Sequence, residues 1–401
     1  MTPLPPPATH ATSGRKVFTT GTHRVRSPED TWELIRPRLA DFGISRVADV
    51  TRLDVIGVPV AVAYRPLART LSVSQGKGHS LLLAKISAVM ESIEMWHAEF
   101  ACPASVHTGT PAHELALPYR LEDLDQHTGS LVHGGSPLDW IDATGTLSGQ
   151  RIPVPRDCVQ LRSGTETAWE PRGLRVASNG LASGNSLAEA SLHALYEVME
   201  RDALSGLSAR PGDARRNLRI ETIDDPAVTP LIERIRASNV FLDVALVPNR
   251  WDVPCFAAFV WSEDFALLTA GSGAHSSPSV ALSRAVTEAA QSRLTLINGS
   301  RDDLTANYAH VLRGATRKPA RDPRAGDYET AVASYRHAFG DVEEELRWAC
   351  RAVTDLTGHE PLAVDLSSCA DFAVVKILCP GLRNSTRHAI PRPDYTTSSA
   401  V

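Results

Sequence analysis

The sequence predicts an α+β protein: one composite domain of mixed or antiparallel sheets, with three related helices converging on a common site. Two observations carry this expectation. Short β-like runs, such as Arg46 to Val50, Val55 to Tyr64 and Cys255 to Trp261, are interspersed with long helical stretches. In addition, a small-residue turn leading into a helix that carries acids recurs three times along the chain.

The elements follow in order. MTPLPPPATHATSG is proline-rich and lacks an apolar h-region, so it is no signal peptide; residues 1–15 are expected to be a disordered leader. Ser27-Pro28-Glu29-Asp30 reads as a helix start, with Ser27 as N-cap and Pro28 at the first helical position. That helix should run to about Phe42 and end at Gly43. Strands at Arg46–Val50 and Val55–Tyr64 precede a helix from Leu81 to Phe100. Between Ala101 and Thr167, turn signals at Gly134-Gly135-Ser136-Pro137 and Pro153-Val154-Pro155 fit two or three short strands and one helix. SNGLASG then opens the helix of Gly184–Asp202, followed by a charged loop, Arg210–Asp225. A helix at Thr229–Ser238, strands at Val240–Val247, Cys255–Trp261 and Leu267–Gly271, and a helix at Val280–Leu296 come next. The basic stretch Gly299–Asp327 is a candidate mobile loop, its plainer reading being a solvated surface. Helices at Tyr328–Phe339 and Val342–Thr357 and strands at Leu362–Leu366 and Phe372–Leu378 complete the expected domain, 16–382, before an irregular tail, 383–401.

Composition narrows the function classes. The chain has 401 residues, 43% hydrophobic and 22% charged, with a formal net charge of −5. This suits a globular enzyme and offers no basic field for nucleic acid. The longest apolar run, Val55–Tyr64, contains Pro59 and is too short for a bilayer span. The six cysteines are scattered and form no C-x-x-C pair. Neither a zinc site nor a disulfide framework is signalled, and a reduced, cytoplasmic protein is the expectation.

The helix of Gly184–Asp202 carries Glu189, Glu197, Glu200 and Arg201. At about 100° per residue, Glu189 and Glu200 lie within roughly 20° of each other on its surface. Laid over the earlier helix, Gly184, Ser186, Leu187, Ala190, Ala194, Glu197 and Glu200 coincide with Gly78, Ser80, Leu81, Ala84, Ala88, Glu91 and Glu94. A weaker third copy matches Ser186, Ala190, Ala194, Glu197 and Glu200 to Ser277, Ala281, Ala285, Glu288 and Gln291. The serines read as caps, the alanines as close-packing faces, and the acids as one-sided pairs at i and i+3.

Concentrated carboxylates repel and resist burial, so they are expected where cations bind. Oxygen ligands without a Cys/His cluster favour a hard cation such as Mg²⁺, with nucleotide phosphates as co-ligands. Arg201 and Arg293, beside the acids, are candidates for phosphate contact or carboxylate pairing, and Lys77 for phosphate. SQGKGHS is no Walker A motif, because Gly78 follows Lys77 where Ser or Thr is required. An ancient duplication kept only for packing is the competing reading.

The stretches GKGHSLLLAKISAVMESIE, GLASGNSLAEASLHALYEVMERDA and RAVTEAAQSRL resemble the three nucleotide-binding stretches of the YcaO family. GTHRVRSPEDT and VVKILCPGL resemble its terminal regions, so the likeness runs from about Lys16 to Leu382. The resemblance implies a YcaO-like fold that binds ATP and Mg²⁺ and activates a backbone amide of a ribosomally made precursor peptide. By position it implies Glu91, Glu94, Glu197 and Glu200 as Mg²⁺-binding acids. Asn185, Glu189, Arg201, Glu288 and Gln291 take nucleotide-contacting positions, joined by Arg24 and Thr31 near the start.

The chain departs from the family pattern twice. Met95 stands where the first acidic helix usually has arginine, and the tail has only Pro391 and Pro393 in place of a P-x-P-x-P end. With no fused E1-like or leader-binding domain recognised, the chain resembles stand-alone members, including those of bottromycin-type pathways and those partnered by a TfuA-like protein. The expected reaction is cyclodehydration to a thiazoline or oxazoline. Macroamidine formation is the runner-up and thioamidation the third choice. A homodimer with a peptide substrate, and a leader-binding or TfuA-like partner, are expected; nucleic acid and membrane are not. A non-catalytic peptide scaffold and an ATP-independent carboxylate–metal hydrolase are the readings from other classes.

Overall fold

The computed structural model of the chain describes residues 14–162, 173–209, 215–304, 317–384, 390–393 and 395. Three separate sheets share one design. In each, an edge strand leads directly into a long helix that lies across it.

The first unit pairs β3 (Arg46–Asp49), β4 (Val60–Tyr64) and β5 (Val73–Lys77) antiparallel, and β5 leads into α2 (Leu81–Phe100). In the second, β9 (Leu181–Gly184) leads into α3 (Leu187–Ala209). Its sheet is ordered β6 (His107–Pro111), β7 (Pro137–Gly145), β14 (Leu362–Asp365), β15 (Ala373–Leu378) and β9, with β8 (Arg151–Pro155) also on β7. The third has the order β10 (Arg216–Leu218), β11 (Phe241–Leu246), β12 (Cys255–Trp261) and β13 (Thr269–Ala274), and β13 leads into α5 (Pro278–Asn298). A helix at Val342–Thr357 packs on α3, and a hairpin of β1 (Val17–Thr19) and β2 (Thr22–Arg24) precedes α1 (Pro28–Ile35). The remaining α-helices among the described residues are α4 (Thr229–Ala237) and the short Tyr328–Val332.

The small residues of the recurrent stretches explain the strand-on-helix packing. A Cβ on Gly76 would stand 2.1 Å from the Ala88 nitrogen and 2.2 Å from the Ala84 oxygen. On Gly271 it would stand 2.2 Å from the Ala289 nitrogen, and on Gly184 2.5 Å from the Ala190 nitrogen. Ala84, Ala88, Ala190, Ala194, Ala281 and Ala285 are fully buried. Strand backbone therefore rests on helix backbone in all three units, which brings the acids on each helix near its neighbouring strands.

Caps are as expected at Ser27, which accepts from the Asp30 amide, and at Ser80, which accepts from Leu83. Ser186 accepts from Glu189 in the same way, at 3.2 Å. Ser277 does not cap with its hydroxyl; its own amide donates to His275 Nδ1, and Pro278 opens the helix.

Several expectations are corrected. The first helix is α-helical only to Ile35 and tightens into a 3₁₀ turn over Arg36–Phe42 before Gly43. Strand pairing in Val55–Tyr64 begins at Val60, after Pro59, which lacks an amide proton. Only 3₁₀ turns accompany the strands among the described residues of 101–162. The charged run Arg210–Asp225 contains β10, and the helix at Tyr328 ends at Val332. Residues 14 and 15 belong to the fold, with Arg15 bridging to Asp341 and the Gly14 carbonyl accepting from Val342. Tail residues also dock: Arg392 pairs with buried Asp243, and Asn217 donates to the Tyr395 hydroxyl at 2.5 Å. Of the candidate loop 299–327, residues 305–316, Arg313 among them, lie outside the described residues. Among the described residues, no helix is long and apolar enough to cross a membrane.

Candidate active site

The repeated acids form a ring, and its hydrogen bonds follow the threefold pattern. Glu91 accepts from the Gln75 amide on its own strand, β5, at 3.0 Å. In the equivalent positions, Glu197 is met by the Gly180 backbone just before β9, and Glu288 by that of Ser272 on β13. The second acid of each pair reaches the next unit. Glu94 accepts from the Ser183 amide at 2.8 Å and its hydroxyl at 2.6 Å, on β9. Glu200 accepts from the Ser272 hydroxyl at 2.6 Å and the Ala274 amide at 3.1 Å, on β13. Gln291 closes the circle, its side-chain amide donating to the Gln75 carbonyl on β5 at 3.3 Å. A glutamine serves here because the partner is an acceptor, which a carboxylate would repel.

The electrostatics match a cation-dependent site. Burial, followed by the charges of Glu91 and Glu197, pushes the Glu94 carboxyl up to about 8. Burial raises Glu197 to about 7, with Glu200 adding to the rise and Arg201 opposing it. Burial also raises Glu91 and Glu200. Burial acts against Glu288 too, but Lys77, at 2.9 Å, and Arg201 outweigh it and leave its carboxyl below the usual value. Arg201 lies 3.9 Å from Glu197. Among the described residues, no three His, Cys, Asp or Glu side chains converge as a ready-made metal cage. Mg²⁺ characteristically takes one or two carboxylates and completes its shell with phosphate oxygens and water, so the spread acids fit a nucleotide-bridged ion.

A second group lies at the start of α3. The Thr31 hydroxyl donates to Asn185 Oδ1 at 2.9 Å, and the Asn185 amide nitrogens donate to Glu189. Glu189 also accepts from the Val25 amide at 2.7 Å and lies 3.5 Å from the Arg24 guanidinium. The expected nucleotide-contacting residues Arg24, Thr31, Asn185 and Glu189 are thus joined in one network.

Arg293 is not part of either group. Its guanidinium, 1% exposed, pairs with Asp54 at 3.0 Å and Asp264 at 3.4 Å and donates to the Ser262 hydroxyl at 2.6 Å. It faces β12 and the turn at Asp54, so its expected role at the nucleotide is replaced by a buried ion-pair network. Met95, at the position matching Arg201, is buried in the core under α2.

Sequence reasoning missed Arg284 and His193, which occupy matching positions on α5 and α3. Burial, then the charge of Arg24, lowers Arg284 to about 10, and burial, followed by the charges of Arg284 and Arg24, lowers His193 and holds it neutral. Two guanidiniums drawn together are favourable when an anion sits between them. Their signal was the repeat itself, one turn before Glu288 and Glu197.

A family model described as YcaO cyclodehydratase, ATP- and Mg²⁺-binding, matches residues 75–383. The chain belongs to the YcaO family. A Mycobacterium tuberculosis relative described as uncharacterized is 42% identical over 382 residues, covering 93% of this chain and 85% of its own length. A Rhizobium leguminosarum bv. trifolii relative, described as lying in the tfuA 3′ region, is 34% identical and covers 90% of this chain and 88% of its own. The YcaO structure from Methanopyrus kandleri, bound with AMPPCP and Mg²⁺, superposes with a TM-score of 0.70 at 20% identity, over 94% of this chain and 99% of that one. A heterocyclase in complex with substrate and cofactor gives 0.71 at 20% identity, over 93% of this chain and 54% of that one. The α+β fold with several antiparallel sheets is that of YcaO proteins.

Proposed function

We propose that this YcaO protein uses ATP and Mg²⁺ to activate a backbone amide of a ribosomally made precursor peptide. The observation that carries the reading is the ring of Glu91, Glu94, Glu197, Glu200 and Glu288, with Lys77, Arg201 and Arg284 set among the acids. Glu91, Glu94, Glu197 and Glu200 would hold the metal. Lys77, Arg201 and Arg284 would neutralise phosphate charge, and the Thr31–Asn185–Glu189 network with Arg24 would orient the nucleotide. Bound Mg²⁺–ATP supplies the phosphoryl group that turns the amide oxygen into a leaving group. A purely structural duplication would have no need of carboxylates held near neutrality by burial.

The product proposed first is an azoline, formed when a Cys, Ser or Thr side chain of the peptide attacks the preceding carbonyl and the oxygen departs as phosphate. A second reading, thioamidation with a TfuA-like partner, is favoured by the tfuA-adjacent relative from Rhizobium. The test is to incubate the protein with ATP, Mg²⁺ and the precursor peptide encoded nearby, with and without sulfide and the partner. Loss of one water supports cyclodehydration, and exchange of one oxygen for sulfur supports thioamidation. Iodoacetamide labelling of the peptide separates thiazoline, which consumes a thiol, from amidine, which does not. ATP binding without any peptide change would support a scaffold instead.

A further inference from the structure

Outside the acid ring, the described residues include two completely enclosed and richly partnered carboxylates: Glu99, held by Arg65 and Thr70 within the first unit, and Glu345, whose partners come from three separate segments. Glu345, on the first turn of the helix Val342–Thr357, is 0% exposed. The Lys16 ammonium forms an ion pair with it. The Tyr196 hydroxyl donates to it at 2.6 Å, and the Ser276 hydroxyl donates to the same oxygen. These partners come from the segment before β1, from the residue preceding Glu197 on α3, and from the turn between β13 and α5. The first leads through the β1–β2 hairpin to Arg24, the second is followed directly by Glu197, and the third leads into α5, which carries Arg284 and Glu288.

The Lys16 side of the node has a defined geometry. The Lys16 amide donates to the Gly340 carbonyl at 2.9 Å, and the Val342 amide donates to the Gly14 carbonyl at 2.8 Å. The N-terminal segment therefore runs antiparallel along residues 340–342 and emerges as the β1–β2 hairpin. The hairpin ends at Arg24 and Val25, the two positions that meet Glu189. Its His23 ring packs edge-on against His275 at 5.3 Å, and His275 lies 5.0 Å from the Tyr196 ring. Two routes thus lead from Glu345 to Arg24, one along the chain from Lys16 and one through Tyr196, His275 and His23.

A buried ion pair contributes little net stability over an apolar filling of the same space, but it is demanding about geometry. Lys16 meets Glu345 only when the N-terminal segment lies along residues 340–342. We propose that Glu345 and Lys16 are positioning residues of the nucleotide site: their pair latches the β1–β2 hairpin so that Arg24 and the Val25 amide are held against Glu189. The latch rests on the nucleotide reading above.

The test compares the full-length wild type with Glu345→Gln, Lys16→Met, Lys16→Arg and the Glu345→Gln/Lys16→Met double variant. Calorimetric binding of Mg²⁺–ATP is the first readout, and hydrogen exchange of the β1–β2 amides is the second. Glu345→Gln and Lys16→Met should each weaken binding about tenfold, the loss expected when one charge-assisted contact is misplaced. The double variant should be no worse than either single, and Lys16→Arg should restore most of the affinity. Hairpin exchange should quicken in Lys16→Met while that of α2 stays unchanged, which a general loss of stability would not produce. If Glu345→Gln does not fold, Lys16→Met carries the same comparison. Variants that bind as the wild type does, with an unchanged hairpin, overturn the latch alone. A wild type that binds no Mg²⁺–ATP overturns the nucleotide reading and the latch with it.

Discussion

Gly76→Ala tests whether close strand-on-helix packing builds the site. The added Cβ would stand 2.1 Å from the Ala88 nitrogen, 2.2 Å from the Ala84 oxygen and 2.7 Å from the Ser87 carbonyl carbon. All three are backbone atoms, so no side chain can swing aside, and β5 must lift away from α2. Overpacking of a tight core costs about 1–3 kcal/mol and sometimes more, and the fixed helix backbone puts this site at the upper end, about 3 kcal/mol. The consequence reaches the ring, because β5 carries the Gln75 amide bound to Glu91, the Gln75 carbonyl bound to Gln291, and Lys77 bound to Glu288. Urea unfolding should therefore show the loss in stability, and Mg²⁺–ATP binding should weaken in parallel. Gly206→Ala is the control: it lies on α3, nothing stands within 4 Å of its added Cβ, and helix propensity should make it about 1 kcal/mol more stable. A Gly76→Ala protein within about 0.5 kcal/mol of wild type, and equal to it in nucleotide affinity, would refute the packing argument.

Other perturbations separate the site from its support. Glu200→Ala should abolish Mg²⁺–ATP binding and leave the Ser272 hydroxyl and Ala274 amide without their acceptor; unchanged ATP turnover would remove Glu200 from the site. Arg293→Met should cost about 3–5 kcal/mol, because it strands buried Asp54, yet folded protein should bind Mg²⁺–ATP as before; a selective loss of nucleotide would return Arg293 to the site. The raised carboxyls of Glu94, at about 8, and Glu197, at about 7, fix the sign of a pH effect. Between the unfolded value of 4.5 and these values, the metal-free fold holds protons that the unfolded chain has released. Their contribution to stability is thus present below 4.5 and lost as pH rises through about 7 to 8. Mg²⁺–ATP must displace these protons, so calorimetry in buffers of different ionisation enthalpy should show proton release on binding and an affinity that rises over that range. Affinity that falls there would be contrary to the assignment.

Much of this was legible because the repeat writes its geometry into residue types. A serine, alanine four and eight residues on, then an acid with glutamate or glutamine three further identify the three units and their shared face. The bounds of α2 and of the helix Val342–Thr357 were also legible, with Ser80 read as the cap of α2. What escaped was set by distant contacts. Arg293 looked like a site residue because it stands beside the acids in sequence, but two residues on from Gln291 it faces another side of α5, towards Asp54 and Asp264. Arg284 escaped because its counterparts, His193 and Ser87, share no charge with it. Glu345 carried no local signal at all; its partners are far away in the chain.

The circular order of the acid contacts has a consequence for how the molecule comes apart. Each unit lends a side chain to the strand of the next, and the last returns to the first, so no unit is terminal. Opening any one junction leaves two edges unsupported, as in an arch without its keystone. Folding and loss of the binding site should therefore be a single event, and a nucleotide spanning the ring would lock all three junctions together.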